Sequence, residues 1–505
     1  MDSTSPVKLG RPPLSSPLQL YINGQCVSSK GGTTFPVHNP LTGQKLYECA
    51  SAGPQDYVTA IVHAHKAYKA WSQMGPSARR QIFLRAADIL ETYLDDNAGG
   101  DAAEILSNEV SAVLSWVTLN VKAAAAILRE TAGLVTHIKG EIVPADRPGT
   151  TIMITREACG VVFAISPWNS PATRAVATPL ICGNSVIFKP SEVSPKSQFL
   201  LIRALIEAGL PAGCVNFLPS RPADAAAVTE LTVKHRLVRR INFTGGDKVG
   251  KIIAGWAASC LKQCLLELGG KAPVIVLKDA ALEDAVEAVV FGALTNSGQI
   301  CMSTERIIVD ESIADKFNEL LLQRVSRIKI GNHLEDHSVS LSGLHSPGLA
   351  SRVLSLVDEA VSAGACLIAG DRTSTGPRKT IVQAHVLDKV TPEMGIFHEE
   401  TFGPVICVTH VSSIDEAIDV ANNSEYSLCA SVFTRDVMAG LDVAKQVKSG
   451  SCHVNAPTVF IEPTLPNGGV GGRSGYGRFG GTAGIHEFTD QKITSLVVPG
   501  MKYPI

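Results

Sequence analysis

Three side chains in this sequence have the types that nucleophilic catalysis combines: a thiol, a carboxyl and an amide. Cys301 follows N-S-G-Q-I, so a thiol stands behind small and hydrogen-bonding residues. A nucleophilic thiol needs close approach of its substrate, free N–H donors and surroundings that favour thiolate, and such neighbours permit all three. A cysteine between Ile300 and Met302 is equally the ordinary pattern of a buried apolar residue, and the stretch alone leaves both readings open. Glu267 ends the apolar run C-L-L-E-L, just before Gly269-Gly270-Lys271. Burial there disfavours its charged form and raises its pKa toward neutrality, where a carboxylate works as a general base. A solvent-facing position or a pairing with Lys271 is the alternative. Asn169 lies in P-W-N-S-P, between two prolines that stiffen the backbone. A fixed side-chain amide is suited to donate to an oxyanion, and an asparagine in a plain turn is the alternative.

Other stretches suit ligand binding. F-K-P-S-E puts Lys189 and Glu192 at the C-terminal end of an apolar strand, where open parallel sheets bind their ligands. N-F-T-G-G-D-K-V-G reads as strand, glycine turn and helix, a turn able to offer backbone N–H groups to a phosphate, although it is not GxGxxG. H-E-E-T-F-G-P precedes a further apolar strand, and 468–481 is rich in glycine. No histidine stands at metal spacing and no CxxC pair occurs, so no metal is expected.

These groups must be positioned by alternating elements. Apolar residues recur at helical spacing from Asp56 to Trp71, from Ser77 to about Leu94 and, without interruption, from Ala102 to about Ala132. Residues 135–158 read as a hairpin of long strands. From Gly160 to about Leu268 short apolar runs alternate with helical stretches such as Ser197–Ala208 and Val249–Ser259. A second alternating set starts near Pro273, with helices at Leu282–Leu294 and about Ser312–Ile328. Such alternation predicts βαβ units and mainly parallel sheets with helices on both faces. The last run, I-T-S-L-V-V, suits pairing with the hairpin or with another subunit. Residues 1–18, rich in Pro and Ser, are expected to form a flexible tail.

Composition excludes several classes. With 505 residues, 45% hydrophobic and 18% charged, the chain is long enough for two or three domains. The net charge of −2 and the absence of a basic block give no footprint for nucleic acid or an anionic membrane. Twelve scattered cysteines point to reduced thiols in a cytoplasmic compartment. No secretory signal or membrane-spanning run is visible.

In this order and spacing the motifs resemble the aldehyde dehydrogenase superfamily over roughly residues 20–500. They are P-W-N (167–169), G-N-S-V-I-F-K-P-S-E (183–192), F-T-G-G-D-K-V-G (243–250), L-E-L-G-G-K (266–271), G-Q-I-C (298–301), E-T-F-G-P (400–404) and the glycine-rich tail. The run N-S-G-Q-I-C-M-S-T-E-R looks most like enzymes of aromatic aldehydes, of the vanillin and salicylaldehyde type. The resemblance implies an α/β fold of two doubly wound parallel-sheet domains plus a small β element. The boundaries implied are 19–134 with 159–267 for a Rossmann-like NAD-binding domain, 268–481 for the catalytic domain, and 135–158 with 482–505 for bridging and oligomerisation. It implies that Cys301 attacks the aldehyde, that Asn169 and the Cys301 N–H hold the oxyanion, and that Glu267 activates water on the thioester. It implies cofactor contacts from Trp168, Lys189, Ser191, Glu192, Thr244, Gly245, Gly246, Val249, Leu268, Glu400 and Phe402, with NAD favoured over NADP because Glu192 repels a 2′-phosphate. Ser170, Arg174, Ile300 and Met302 are the implied substrate pocket. The implied partners are a small aldehyde and further copies of the chain, as homodimer or homotetramer. Two other readings are a CoA-acylating dehydrogenase and a member that kept the fold without activity. The second is motivated by the segment after Asn169, about one helical turn shorter than the family pattern.

Overall fold

The structure, a computed structural model, describes residues 12–95, 100–170, 172–460, 462–500 and 502–503. Two mainly parallel sheets form its centre. In the first, the strands Val215–Phe217, Ser185–Lys189, Val161–Ile165, Val238–Thr244 and Gln263–Glu267 lie side by side in that order, all parallel. The chain winds outward one way from Val161–Ile165 and then the other way. The switch point therefore falls between Val161–Ile165 and Val238–Thr244, and the crevice beyond their carboxyl ends is where such sheets take ligands. Ser166–Asn169 and Gly245–Gly246 follow those two ends directly.

The alternation of side chains along each strand builds two cores per sheet. Val161, Phe163 and Ile165 enter one core, while Val162 and Ala164 enter the other. The second sheet repeats the device: Val274 and Val276 face one cluster, Ile275 and Leu277 the opposite one. That sheet runs Cys366–Ala369, His385–Asp388, Val405–Val411, Thr304–Asp310, Ala272–Val276, Cys429–Phe433, Ser451–Val454, parallel apart from its first pair. Helices cover both sheets, and Leu282–Leu294 carries Glu283 and Asp284 in its first turn, where the helix dipole favours acid. A separate three-stranded antiparallel sheet joins Glu141–Val143, Thr150–Ala158 and Thr489–Val497.

Three expectations need correction. The helix expected without interruption over 102–132 is two helices, Ala102–Val110 and Leu114–Gly133. Ser111 takes a left-handed φ of +58° between them, and the Ser107 hydroxyl donates to the Ala112 carbonyl at 2.8 Å. An apolar pattern continuing across the break hid it. The tail expected to reach residue 18 docks earlier, since Leu18 is buried and its N–H donates to the Glu48 carbonyl at 2.8 Å; residues 1–11 of it lie outside the described residues. The glycine-rich tail is also not confined to the second unit: Gly475–Tyr476 pairs antiparallel with Leu266 and Glu267 as the edge of the first sheet.

Among the described residues no single helix is long and apolar enough to cross a membrane. Asn184 joins three parts of the first unit. Its Oδ1 accepts from the Gly160 N–H at 2.9 Å, and its Nδ2 donates to the carbonyls of Pro179 and Phe488 at 3.0 and 2.8 Å. Asn184→Ala removes the side-chain partner of the Gly160 N–H and of the Phe488 carbonyl, while Pro179 keeps the Asn184 backbone N–H, and is expected to cost on the order of 2–3 kcal/mol, read as a lowered urea midpoint.

Candidate active site

Cys301 and Glu267 come from different sheets. Glu267 ends the strand Gln263–Glu267 of the first, and Cys301 precedes the strand Thr304–Asp310 of the second. The Cys301 Sγ donates to Glu267 Oε1 at 3.3 Å. Glu267 is 3% exposed, and burial pushes its carboxyl up to about 7, against lowering by the Cys301 hydrogen bond and the Arg174 charge. Burial, with Glu267 beside it, also pushes the Cys301 thiol well up. The resting pair is therefore a thiol facing a carboxyl raised toward neutrality, arranged so that the proton can pass from Sγ to Oε1. The alternative pairing of Glu267 with Lys271 is absent: Lys271 Nζ instead meets Glu305 at 2.5 Å, both fully buried.

The Cys301 loop is forced into one shape. Asn296, Ser297 and Gly298 take φ values of +52°, +56° and +75° in succession, a conformation that costs free energy for the two residues with Cβ atoms. The loop is held by polar contacts. Gln299 Nε2 donates to the Asn296 carbonyl at 3.0 Å, and Gln299 Oε1 accepts from the His345 N–H at 2.9 Å. A Cβ on Gly298 would lie 2.2 Å from the Gly403 carbonyl oxygen, and one on Gly270 would lie 2.1 Å from that of Cys301. Glycine is required at both positions, because E-T-F-G-P and L-E-L-G-G-K press directly on the thiol loop.

Asn169 reaches this loop despite the short segment after it. Its Nδ2 donates to the Gln299 carbonyl at 3.0 Å and keeps a second N–H free. The backbone N–H of Cys301 donates to no acceptor among the described residues. Asn169 and Cys301 thus each bring an N–H without an acceptor among the described residues to the same cavity, the kind of donor an oxyanion uses.

A cavity of about 520 Å³ brings together Cys301, Glu267, Asn169, Trp168, Ser170, Arg174, Ile300, Met302, Thr244, Gly245, Gly246, Leu268, Glu400 and Phe402. Lys189, Ser191, Glu192 and Val249 are not on its wall. Lys189 is buried at the end of its strand, its pKa held down by burial with Glu192 opposing, and its ammonium has no hydrogen-bond acceptor among the described residues. The Ser191 hydroxyl accepts from the Val193 N–H at 3.2 Å and so serves its own turn. Val249 is half exposed on the helix Asp247–Ser259 that Gly246 begins, and a Cβ on Gly246 would meet open space. Glu400 accepts from the Gly270 N–H at 2.8 Å, and burial with Glu305 nearby raises its carboxyl to about 8. Phe402 holds a φ of +52° and stands edge-on to Trp168, whose other neighbour is the stacked ring of His345 at 4.4 Å.

Several contributors escaped the sequence reading. Glu305 accepts from the backbone N–H groups of Thr401 and Phe402 as well as from Lys271. Arg473 bridges Asp247 and Glu399, each at 3.0 Å, and so joins the glycine-rich tail to both neighbouring loops. Trp116, Leu119 and Asn120 line the cavity from the helix that the break at Ser111 turns over the site. The only sequence signal for Glu305 was its place four residues past Cys301, and nothing marked Lys271, Thr401 or Phe402 as its partners. Lys271→Met is expected to strand a buried carboxylate and to cost about 3–5 kcal/mol, seen as a lowered thermal midpoint together with loss of any activity that depends on the Cys301 loop.

The comparisons agree with this geometry. The pattern of the aldehyde dehydrogenase family matches residues 26–494. A vanillin dehydrogenase of Pseudomonas fluorescens is 42% identical over 489 residues, covering 96% of this chain and 99% of that one. A benzaldehyde dehydrogenase [NAD(+)] of Pseudomonas putida is 35% identical, covering 95% of this chain and 96% of that one. The crystal structure of a salicylaldehyde dehydrogenase from Pseudomonas putida G7, complexed with salicylaldehyde, superposes with a TM-score of 0.93 at 39% identity, covering 96% and 99%. With the motifs assembled around one cavity and the match running nearly end to end, this chain belongs to the aldehyde dehydrogenase family.

Proposed function

We propose that this chain oxidises an aromatic or similarly bulky aldehyde to the carboxylic acid with NAD⁺, through a thioester on Cys301. The observation that carries this is the 3.3 Å contact of Cys301 Sγ with Glu267, at one wall of a cavity of about 520 Å³ with apolar lining such as Trp116, Leu119 and Phe291. A carbonyl carbon placed at Sγ takes the sulfur's electron pair while the thiol proton passes to Glu267. The new oxyanion is held by the Cys301 N–H and the free N–H of Asn169. NAD⁺, held by the residues named below, would supply the acceptor for the hydride of the thiohemiacetal carbon. Glu267 then gives the thiol proton up to solvent and, ionised, takes a proton from a water that attacks the thioester, and Cys301 leaves as thiolate. A base within reach of the sulfur supports water, rather than the thiol of CoA, as acyl acceptor. Arg174, whose guanidinium reaches only the Leu465 and Glu462 carbonyls at 3.5 and 3.4 Å, is assigned with Ser170, Ile300 and Met302 to the substrate side.

The residues fit the cofactor. The buried Lys189 ammonium lacking an acceptor, and Glu192 near it, suit the two hydroxyls of a ribose, and Glu192 disfavours a 2′-phosphate. Gly245 and Gly246 leave room for the pyrophosphate at the start of the helix Asp247–Ser259, with Val249 and Leu268 beside it. Trp168, Glu400 and Phe402 are assigned to the nicotinamide end and Ser191 to the adenosine end. On this reading 19–134 with 159–267 holds NAD, and 268–481 carries the thiol.

Glu267→Gln is expected to slow the single-turnover burst of NADH, because the thiol loses its proton acceptor, and to lower the steady-state rate by about 10²–10⁴-fold. In the wild type, ionisation of a base raised to about 7 makes the rate climb as pH rises through that value, and the variant loses this limb. Full steady-state activity in Cys301→Ser, measured by NADH absorbance, overturns the assignment.

The three-stranded sheet supports a homodimer or homotetramer, because Ile142, Ile493 and Leu496 are 76%, 69% and 65% exposed on it. Ile493→Lys with Leu496→Lys is expected to give a monomeric mass by light scattering. All twelve cysteines are free thiols, which supports a reducing, cytoplasmic setting.

A further inference from the structure

A second, smaller cavity of about 40 Å³ adjoins the large one. The two share Trp116, Asn120, Trp168 and Asn169 in their walls. The smaller one continues between the helices Leu114–Gly133 and Pro195–Glu207, where Val121, Ala124, Leu200 and Leu201 close it. Those four are buried aliphatic side chains. A void of this size holds two or three waters, or one small group, since each probe sphere takes roughly 10–15 Å³.

Asn120 stands on the shared wall. It is 6% exposed, and its Nδ2 donates to the Trp116 carbonyl at 2.9 Å, one turn back in its own helix. Its Oδ1 accepts from no donor among the described residues. That bond fixes the amide orientation, so the oxygen is presented as an acceptor at the boundary of the two spaces. Asn169, Ser197 and Gln198 on the same lining donate elsewhere, to Gln299, Glu109 and Pro167, and an acceptor lacking its donor costs free energy unless a guest or water supplies an N–H or O–H.

Resting on the aldehyde reading above, we propose that this side chamber is a specificity subsite for a small substituent on the substrate ring. It takes a group of hydroxyl, methyl or methoxy size, and Asn120 Oδ1 accepts from a ring hydroxyl at its mouth. The chamber borders Asn169 and Trp168, so an aldehyde carbon at Cys301 places one edge of its ring toward this wall. The substrates are therefore benzaldehydes carrying a hydroxyl or a small alkoxy group on that edge, in preference to the unsubstituted ring.

Two substitutions read the two parts separately. Ala124→Leu fills the chamber from its far wall, and Asn120→Leu removes the acceptor at nearly constant volume. The quantity measured is the ratio of kcat/KM for each positional isomer of hydroxy- and methoxybenzaldehyde over that for benzaldehyde. With Ala124→Leu the best methoxy isomer's ratio is expected to fall about tenfold or more, the scale of one misplaced small group in a pocket. With Asn120→Leu the best hydroxy isomer's ratio falls about tenfold. A merely structural defect lowers all aldehydes together and leaves the ratios unchanged, and unchanged ratios overturn the subsite. The matching benzoates, titrated calorimetrically against the same variants, read the chamber without turnover. If no aldehyde is oxidised, the proposed function fails, and the benzoate titration still decides the subsite: selective loss of methoxybenzoate binding in Ala124→Leu supports it, and equal binding overturns it.

Discussion

The site depends on one buried ion pair. Lys271 and Glu305 meet at 2.5 Å with side chains 0% and 3% exposed. Removing two charges from water costs several kcal/mol each, and their attraction offsets this only when the remaining lone pairs are also satisfied. Here they are. The N–H groups of Thr401 and Phe402 and the Thr401 hydroxyl all donate to Glu305. The pair thus joins three separate segments: L-E-L-G-G-K, the strand that follows Cys301, and E-T-F-G-P. Each presses on the thiol loop through a glycine or a carbonyl, so an error in any one of them moves the sulfur. A salt bridge of this kind does little for stability beyond what an apolar pair could do. Its value is geometric, because the polar contacts are satisfied in only one arrangement.

The second constraint is a shared proton. Cys301 and Glu267 are both held above their ordinary pKa by burial; Glu267 raises the thiol further, while the hydrogen bond donated by Cys301 partly lowers the carboxyl. The pair keeps its thiol unreactive until an electrophilic carbon arrives to take the sulfur's charge. A single carboxyl near neutrality can accept the thiol proton first and a water proton later, so in the proposed mechanism one residue serves both halves of the reaction.

Much of this was legible in the sequence because strong local periodicity decides it. Short β-branched runs such as V-V-F-A-I and S-V-I-F-K, separated by helical stretches, allow little besides a parallel sheet with helices on both faces. The Leu282–Leu294 helix was read with its observed limits. Legibility failed where a single dihedral angle or a distant partner decides the structure. Ser111 ends a helix by turning left-handed inside an unbroken apolar pattern, and no composition signal accompanies it. Lys271 seemed the natural partner for Glu267, four residues away, yet it pairs with Glu305, 34 residues on. Cys301 and Glu267 each had a plausible structural reading alone. Their joint order with Asn169 separated them from the other candidates, and the spatial meeting of two sheets explains why that order matters.

The edge strand Gly475–Tyr476 ties function to the direction of synthesis. It pairs with Leu266 and Glu267, yet it leaves the ribosome some two hundred residues later. During that interval the strand bearing the catalytic carboxyl is an open sheet edge, with unpaired backbone groups and apolar neighbours, a template for pairing with other chains. The carboxyl cannot be desolvated as in the finished protein until this edge is closed. The stretch of synthesis in which this edge stands open is thus the one most exposed to mispairing, and the arrival of two residues closes it.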